Sequence, residues 1–423
     1  MPTPKSLLGK VHTRKNLEMA WKEVSRFARL DSHGMSDQTI KDFSLGLKAN
    51  LDFIRTELIK GDYNFGLLRG ATIKKKGGKK RPLRIADIRD RVVQRAIARI
   101  LEKDLGQKFG LNNPASYAYI KKKSTKSAIK KMLELHQSGY SVILEADIID
   151  FFGTVDTNKL LNEMVFQNLS DESLNQLIEK VFKMEVGNKD MMPEEDWELY
   201  PESAGGLPQG GYLSPLFSNI YLSDFDHSMI KNRYKLIRYA DDFIVMCKTI
   251  EEAEDAYTLT RYLLEDKLGL KMHTRDDIDK KARTRIVKIT QTSIQFLGIQ
   301  FNGVRIWPDS EKRKKLSEKL SKVSSSSKNV IDLLTRMRNL IEGWIAAYGF
   351  TDLPVNYIKA IDNEVNIILG HSLKKFGWKL KSGFLSELQR ENSGVNPISW
   401  YLSKIRINYK EDDRDIFSKY WSP

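Results

Sequence analysis

The chain of 423 residues contains a single cysteine, Cys247. One cysteine excludes a disulfide framework within the chain and a zinc site built from paired cysteines. No stretch of the sequence approaches the length and apolar character of a membrane span, so we expect no membrane partner. The first residues also lack a long apolar run, which argues against a signal peptide and predicts a reducing, cytoplasmic compartment.

Acidic residues are in deficit, since 55 of them stand against 70 basic residues for a net charge of +15. Such an excess favours a polyanionic partner, because lysine and arginine contacts to phosphate release condensed counterions. A generally basic protein without such a partner would show the same balance, and charge carries no information about the fold. The composition, 41% hydrophobic and 30% charged, is typical of a folded protein, and the length predicts two or three lobes.

Two segments place carboxylates next to short apolar runs. Residues 140–152 predict a buried strand that carries Asp147 at its end. Residues 235–247 hold two apolar runs around Asp241 and Asp242, which predicts a hairpin with both carboxylates at the tight turn. Adjacent aspartates are most often solvated turn residues. Here the apolar flanks would bury them, and a bound metal would relieve the cost of burying unpaired carboxylates.

Three carboxylates in this arrangement suit phosphodiester synthesis. That reaction needs an activated 3′-hydroxyl and a stabilised pyrophosphate leaving group, and two divalent ions about 3.5–4 Å apart serve both. Hard cations such as Mg²⁺ prefer carboxylate oxygens as ligands. Two neighbouring strands can bring Asp147 and the pair Asp241 and Asp242 to one point, so the pattern indicates a two-metal site.

The remaining periodicity gives a coarse outline of the chain. The basic segment 71–85, with Gly77-Gly78 between two β-prone arms, predicts a hairpin. The acidic residues 183–203 are predicted to form a loop, and the serines at 324–327 a joint before a long helical stripe. Further helices are predicted at residues 14–60, about 90–105, 213–231 and roughly 251–268.

Seven segments resemble the motifs of reverse transcriptases, in the form found in group II intron enzymes. They stand in the order typical of that family and cover roughly residues 70–350. In chain order they are RPLRIADIRDRVVQRAI (81–97, fingers), SYAYIKKKST (116–125), EADIIDFFGTVD (145–156, motif A), GGLPQGGYLSPLFSNIYL (205–222, motif B), RYADDFIVM (238–246, motif C), FLGIQF (296–301, motif E) and GWIAAYGF (343–350, thumb).

The resemblance implies an α+β fold of the right-hand polymerase type. Its antiparallel palm sheet is expected to be flanked by helices and followed by a helical thumb. Residues 1–140 would then hold the N-terminal helices and the fingers, and 141–310 the palm, with a fingers insertion at about 153–205. Residues 311–423 would form the thumb and a short C-terminal tail.

The resemblance also assigns the catalytic residues. Asp147, Asp241 and Asp242 are expected to hold two Mg²⁺ ions, for which Mn²⁺ can substitute, with help from the backbone carbonyl of Ile148. The family's motif D normally contains a Glu-Lys-Thr sequence, which is missing here. Only Lys271 and His273 are candidates for the group that protonates the leaving pyrophosphate.

Two residues are expected to contact the base and the sugar of the incoming nucleotide. Phe152 stands five residues after Asp147, where an aromatic ring in this family clashes with a 2′-hydroxyl and so favours dNTPs. A core phenylalanine next to Phe151 is the alternative. Glycines around Gln209 would let the backbone approach the nucleotide, and Gln209 would then contact a base. A plain turn is the alternative there.

Basic and turn residues complete the predicted site. The triphosphate is expected to bind guanidinium or ammonium groups of the fingers, namely Lys79, Arg81 and Arg89. The alternative is that this run of charges is only a solvated face. The remaining predicted nucleic-acid contacts lie on the template side, at the primer terminus and in the primer grip: Lys121, Lys122, Lys123, Tyr239, Ala240, Leu297 and Gly298.

The chain lacks the paired cysteines and histidines of an HNH nuclease domain. It is most similar in layout to stand-alone bacterial reverse transcriptases of the "unknown group", and among them to the class 2 defence-associated enzymes. That similarity implies that an adjacent, structured noncoding RNA is copied into cDNA from dNTPs during antiphage defence. Two alternatives stay open, namely a group II intron maturase and a protein-primed or template-independent DNA polymerase.

Overall fold

The computed structural model describes residues 5–74, 78, 80–201, 205–275, 284–380 and 385–421. Within these ranges the chain has the predicted α+β composition. The helices are α1 (Leu7–Val11), α2 (Arg14–Phe27), α3 (Ile40–Leu45), α4 (Leu47–Lys60), α5 (Ile88–Leu105), α6 (Thr125–Gln137), α7 (Phe151–Thr154), α8 (Asn175–Phe182), α9 (Ser214–Tyr221), α10 (Ser223–Lys231), α11 (Ile250–Arg261), α12 (Ser310–Ser326), α13 (Val330–Tyr348), α14 (Val355–Lys375), α15 (Glu387–Ser393), α16 (Ile398–Ile407) and α17 (Glu411–Ser418). The strands are β1 (Arg69–Lys74), β2 (Lys80–Ile85), β3 (Val142–Asp147), β4 (Lys235–Tyr239), β5 (Asp242–Cys247), β6 (Arg285–Lys288), β7 (Ile294–Phe296), β8 (Ile299–Phe301) and β9 (Ile306–Pro308).

The chain forms two compact units, and each is discontinuous in sequence. The first unit contains Met1–Lys122, Asp147–Arg233 and Thr258–Arg283, and the second contains Lys123–Ala146, Tyr234–Tyr257 and Thr284–Pro423. The predicted functional division, with boundaries at residues 140 and 310, stays a prediction.

In the first unit, α2 packs against α5. The side chain of Thr13 accepts the backbone amide of Asn16 and so caps the start of α2. The Asn16 side chain in turn donates to the carbonyl oxygen of Ala96 in α5, at 3.0 Å. The predicted helix at about 90–105 is confirmed as α5. The helical segment 14–60 is divided into α2, α3 and α4 by the non-helical residues 28–39 and by Gly46.

The predicted basic hairpin is confirmed as the antiparallel pair of β1 and β2. Their register runs from Arg69 opposite Ile85 to Lys74 opposite Lys80. The residues 75–77 and 79 lie outside the described part of the chain, and with them the predicted turn at Gly77.

The acidic segment 183–203, predicted as a loop, pairs with this hairpin. Leu68 and Val186 form a parallel bridge, and the Leu68 amide donates to the Glu185 carbonyl at 2.7 Å. Short helical turns follow at Lys189–Met191 and Glu194–Leu199. The loop prediction is therefore wrong in part for residues 183–201, because contacts with a distant segment order them, while residues 202 and 203 lie outside the described part of the chain.

The second unit contains a sheet with the strand order β4-β5-β3-β6. β4 and β5 are antiparallel, with Lys235 opposite Met246 and Tyr239 opposite Asp242, and β3 is antiparallel to β6. The predicted strand within residues 140–152 and the predicted hairpin within 235–247 are both confirmed. Another antiparallel sheet contains β7, β8 and β9.

Helices α12, α13, α14 and α16 share one hydrophobic core in the second unit. The predicted helical stripe is confirmed in α13, where Leu333, Met337, Ile341 and Ile345 are fully buried. The predicted joint at 324–327 is correct only at its last residue, because α12 continues to Ser326 and the break begins at Ser327. Similarly, the predicted helix 213–231 is two helices, α9 and α10, that meet at Leu222.

The C-terminal helix α17 packs against α6, a contact that the sequence did not indicate. Asp413 accepts hydrogen bonds from Lys126 at 2.9 Å and from Lys130 at 2.7 Å. The Tyr420 hydroxyl lies 3.1 Å from Nδ1 of His136 at the other end of α6. Among the described residues, no helix combines the length and the apolar character needed to cross a membrane.

Candidate active site

The turn between β4 and β5 carries two of the three predicted catalytic aspartates. Asp241 lies in the turn and Asp242 is the first residue of β5, and both are half-buried. Ala240 stands immediately before them with a φ of 60°, in the left-handed region that a side chain with Cβ rarely adopts. The Arg238 side chain is fully buried and donates from Nη1 to the Ala240 carbonyl at 2.9 Å. A buried guanidinium therefore holds the strained residue of the turn, a role that the sequence reading missed.

Asp147 is the last residue of β3 and is half-buried. Its carbonyl oxygen accepts the amide of His273 at 3.2 Å, and the Ile149 amide donates to the Lys271 carbonyl at 2.8 Å. Ile148, which is buried, forms an antiparallel bridge with Met272 between these two bonds. Both candidates for the motif D proton donor thus lie on a segment whose backbone pairs with Asp147–Ile149.

The three aspartates supply the hard oxygen donors that Mg²⁺ prefers, and β3 is the neighbour of β5 in the sheet. Across the residues that the structure describes, however, no three Asp, Glu, His or Cys side chains are gathered closely enough to hold an ion. The donor chemistry fits a divalent ion, while the gathering of the three ligands stays a prediction.

The two adjacent phenylalanines after Asp147 have different environments. Phe151 is fully buried, so it is the phenylalanine of this pair that packs in the core. Phe152 is only half-buried, and its ring meets that of Phe151 edge to face with centroids 5.4 Å apart. Its backbone carbonyl accepts the amide of Leu207 in motif B at 2.7 Å. Phe152 is thus held at the motif B loop, and its contact with the sugar stays a prediction.

Two glycines of motif B make close backbone approaches. At Gly206, with a φ of 93°, an added Cβ would lie 2.3 Å from the carbonyl oxygen of Phe152. At Gly210, with a φ of 105°, an added Cβ would lie 3.0 Å from the carbonyl oxygen of Arg84. The glycines were predicted to let backbone approach the nucleotide, whereas the approaches in this structure are to protein segments of motif A and β2.

Gln209 lies between these two glycines, and its backbone joins the loop to the fingers hairpin. Its carbonyl oxygen accepts the amide of Arg84 in β2 at 2.9 Å. The half-buried guanidinium of Arg84 lies 5.8 Å from the ring centroid of Tyr200, and burial lowers its pKa. Sequence reasoning did not single out Arg84 from the other basic residues of the hairpin. Its partners are distant in sequence, so no local signal could have found it.

The three predicted phosphate ligands differ in their surroundings. Arg81 is exposed on β2. Arg89 donates from Nη2 to the Asn64 carbonyl at 3.1 Å and stacks over Tyr63 with 5.8 Å to the ring centroid. Lys79 lies outside the described residues. Of the two described arginines, Arg81 is the more exposed to solvent. Arg89 also connects the start of α5 to the loop after α4, through Asn64.

The other predicted nucleic-acid contacts fall at three places. Lys121 and Lys122 are exposed, and Lys123 is half-buried. On motif C, Tyr239 is half-buried and Ala240 is buried. Motif E forms the turn between β7 and β8, where two successive residues have a positive φ, 51° and 78°: Leu297 and Gly298.

Residues 73–301 match the family described as reverse transcriptase (RNA-dependent DNA polymerase), which is more than half of the chain. This chain belongs to the reverse-transcriptase family. Its relatives include Protein YkfC of Escherichia coli K12, which is 30% identical over an alignment of 265 residues, and the match covers 54% of this chain and 66% of YkfC. Group II intron-encoded protein LtrA of Lactococcus lactis subsp. cremoris is 30% identical over 212 residues, which are 50% of this chain and 33% of LtrA. The chain thus spans less than two thirds of these curated relatives.

Solved structures of reverse-transcriptase type are distant neighbours. A partial Cas6-RT-Cas1–Cas2 complex is 27% identical with a TM-score of 0.37, and the match covers 62% of this chain and 42% of that one. Apo telomerase from Candida tropicalis is 12% identical with a TM-score of 0.44, over 84% and 68% of the two chains. The α+β polymerase fold expected from the motifs agrees with the family match.

The close approach at Gly206 gives a first prediction. Gly206→Ala should disrupt the Leu207 to Phe152 hydrogen bond, because the methyl group would collide with the Phe152 carbonyl at an unfavourable φ. We expect a loss of roughly 1–3 kcal/mol in local stability. Amide hydrogen exchange at Leu207 measures it. The control is Gly205→Ala, where an added Cβ meets nothing within 4 Å. Equal protection of Leu207 in both variants would contradict the prediction.

Proposed function

We propose that the protein is an RNA-directed DNA polymerase with Asp147, Asp241 and Asp242 as its catalytic carboxylates. The observation that carries the proposal is the family match over residues 73–301, which includes all three aspartates. Their positions are consistent with this role, since Asp147 ends β3, Asp241 stands in the turn before β5, and Asp242 is the first residue of β5, the strand next to β3.

The carboxylates would act through two Mg²⁺ ions, or Mn²⁺ in their place. Bound there, such ions lower the cost of forming the 3′-alkoxide and neutralise the charge that develops on the leaving pyrophosphate. Asp147 and the Asp241–Asp242 pair would supply the oxygen ligands, with the Ile148 carbonyl as a further donor. Arg238 would keep the turn at Ala240 in the conformation that presents the pair.

The incoming nucleotide would bind between motif A, motif B and β2. Phe152 would exclude the 2′-hydroxyl, and Gln209 would contact the base. Arg81 and Lys79 would bind the triphosphate, and Arg89 would join them by giving up its bond to the Asn64 carbonyl. The backbone bonds from Leu207 to Phe152 and from Arg84 to Gln209 support this arrangement, because they tie these segments together.

The nucleic-acid strands would lie along the remaining predicted residues. The exposed Lys121 and Lys122, with Lys123, would follow the template backbone, whose phosphates the net charge of +15 favours. On the primer side, the contacts would come from the motif C and motif E turns: Tyr239, Ala240, Leu297 and Gly298.

We further propose that the template is a structured noncoding RNA encoded nearby, and that its cDNA serves antiphage defence in the cytoplasm. This part rests on the layout of the motifs. A group II intron maturase is the second candidate, and the 30% identity to an intron-encoded protein favours it.

The aspartate pair gives a test of the chemistry. Replacing both Asp241 and Asp242 by Ala should abolish Mg²⁺-dependent dNTP incorporation on a primed RNA template, because the turn would lose its oxygen ligands. RNA affinity, measured by filter binding, should be unchanged. Asp255→Ala, an exposed aspartate of α11, is the control and should remain active. Synthesis by the double variant would rule out this site assignment.

Phe152 gives a test of sugar selection. Phe152→Ala should raise the efficiency of ribonucleotide incorporation relative to dNTPs by about tenfold or more, the scale at which steric contacts discriminate. The ratio of kcat/KM for a matched rNTP and dNTP measures it. Phe53→Ala removes an exposed ring of α4 and should leave the ratio unchanged. An unchanged ratio in Phe152→Ala would remove the sugar gate.

The template is tested by sequencing the RNA and DNA that copurify with the protein, with and without phage infection. The defence proposal expects cDNA that matches a structured RNA encoded beside the gene. Recovery of intron RNA with its boundary elements would favour the maturase. DNA without any RNA counterpart would instead indicate protein-primed or template-independent synthesis.

A further inference from the structure

Residues 185–200 form a segment that we call the brace, because it contacts the β1–β2 hairpin and Leu68, the residue immediately before it. It lies between α8 and motif B and carries the acidic run Glu194, Glu195, Asp196. A two-stranded hairpin without further support is only marginally stable in water. The hairpin of this protein therefore depends on what packs against it.

The first part of the brace extends the hairpin on the β1 side. The Leu68 amide donates to the Glu185 carbonyl at 2.7 Å, and the Gly187 amide donates to the Leu68 carbonyl at 2.9 Å. The Asn188 side chain then binds both backbone groups of Gly70, accepting from its amide at 2.7 Å and donating to its carbonyl at 3.2 Å. Both polar groups of Gly70 are thus bonded to the brace.

Gly70 also shows how closely the two segments are packed. A Cβ at this position would lie 2.2 Å from Cε of Met192, 2.9 Å from Cγ1 of Val186 and 3.2 Å from Cζ of Tyr200. All three neighbours belong to the brace. The absence of a side chain at Gly70 therefore allows the brace to lie directly on β1.

Tyr200, at the end of the brace, binds both strands of the hairpin. Its ring is fully buried, and its hydroxyl lies 2.8 Å from the Ala71 carbonyl and 3.4 Å from the Leu83 carbonyl. Ala71 and Leu83 are opposite each other in the β1–β2 register. Burial raises the pKa of Tyr200, so the hydroxyl stays protonated and can donate. The Tyr200 hydroxyl thus contacts one carbonyl group of each strand.

A second link from the brace is ionic. Asp196 accepts from Nζ of Lys80 at 2.5 Å and from the Thr72 hydroxyl at 3.2 Å. The hydrogen bond with Lys80 lowers the pKa of Asp196, which keeps the carboxylate charged. Lys80 and Thr72 stand on different strands, so Asp196 also binds both β1 and β2.

The hairpin connects the brace to the nucleotide side of the proposed site. Arg84, next to Leu83, has its guanidinium 5.8 Å from the Tyr200 ring centroid, and its amide donates to the Gln209 carbonyl. We propose that Tyr200, assisted by Asp196, is a positioning residue that fixes β2 against the motif B loop and so sets the affinity for the incoming dNTP. The inference rests on the proposed polymerase function.

The test compares Tyr200→Phe with Tyr262→Phe, a control that removes an exposed hydroxyl elsewhere in the first unit. Tyr200→Phe should raise the KM for dNTP about three- to tenfold, the factor expected for one net hydrogen bond, and leave kcat and template affinity unchanged. Amide exchange in the free protein should also become faster in Arg69–Lys74 and Lys80–Ile85. A merely structural role would not separate KM from kcat in this way.

Asp196→Asn provides an independent variant that keeps the buried ring, and it should shift the KM and the exchange in the same direction by a smaller factor. Tyr200→Phe and Asp196→Asn variants that match the Tyr262→Phe control in KM would overturn the proposal, as would a fall in kcat at constant KM. A wild-type protein that incorporates no dNTP would contradict the proposed function itself. The exchange measurement would then still decide whether the brace holds the hairpin.

Discussion

The close backbone packing of the motif B loop is the constraint on which the proposed nucleotide site, between motif A, motif B and β2, depends. Leu207 donates to Phe152, and Gln209 accepts from Arg84, so a stretch of three residues binds motif A on one side and β2 on the other. Gly206 and Gly210 make this possible, because a Cβ at either would collide with or crowd the neighbouring carbonyl. Motif A, motif B and the β1–β2 hairpin are therefore joined through backbone contacts of this one loop.

The turn between β4 and β5 is stabilised in a different way, by a buried charged side chain. Burying a guanidinium is costly unless its donors are satisfied. Arg238 meets part of this requirement with the Ala240 carbonyl, at the residue with left-handed backbone. The turn is thus stabilised by a side chain from its own strand two residues earlier. This local contact stabilises the turn next to Asp241 and Asp242.

The sequence was most informative where structure is determined locally. The strands β3, β4 and β5 and the helix α5 follow from periodicity, and the family follows from motifs that are contiguous in the chain. The partners of those motifs could not be predicted in the same way. Tyr200 binds Ala71 from 129 residues away, and Asp413 binds Lys126 from 287 residues away. Such pairings depend on the folded path of the whole chain, which periodicity does not contain. For the same reason, the glycines of motif B were recognised as sites of close approach while their protein partners were not.

The contact between α17 and α6 has a consequence for biosynthesis. Residues 123–146 of the second unit are made early, yet Lys126 and Lys130 bind Asp413, and His136 contacts Tyr420, residues that are made much later. The hydrophobic neighbours of this contact, among them Phe301 and Phe417, are likewise contributed by late parts of the chain. During synthesis on the ribosome, Lys126 and Lys130 of α6 therefore cannot bind Asp413 until residues 411–421 have emerged. A growing polypeptide that already contains all the motifs therefore still lacks the contact between α6 and α17. Packing of this unit is completed only after the motifs have been translated.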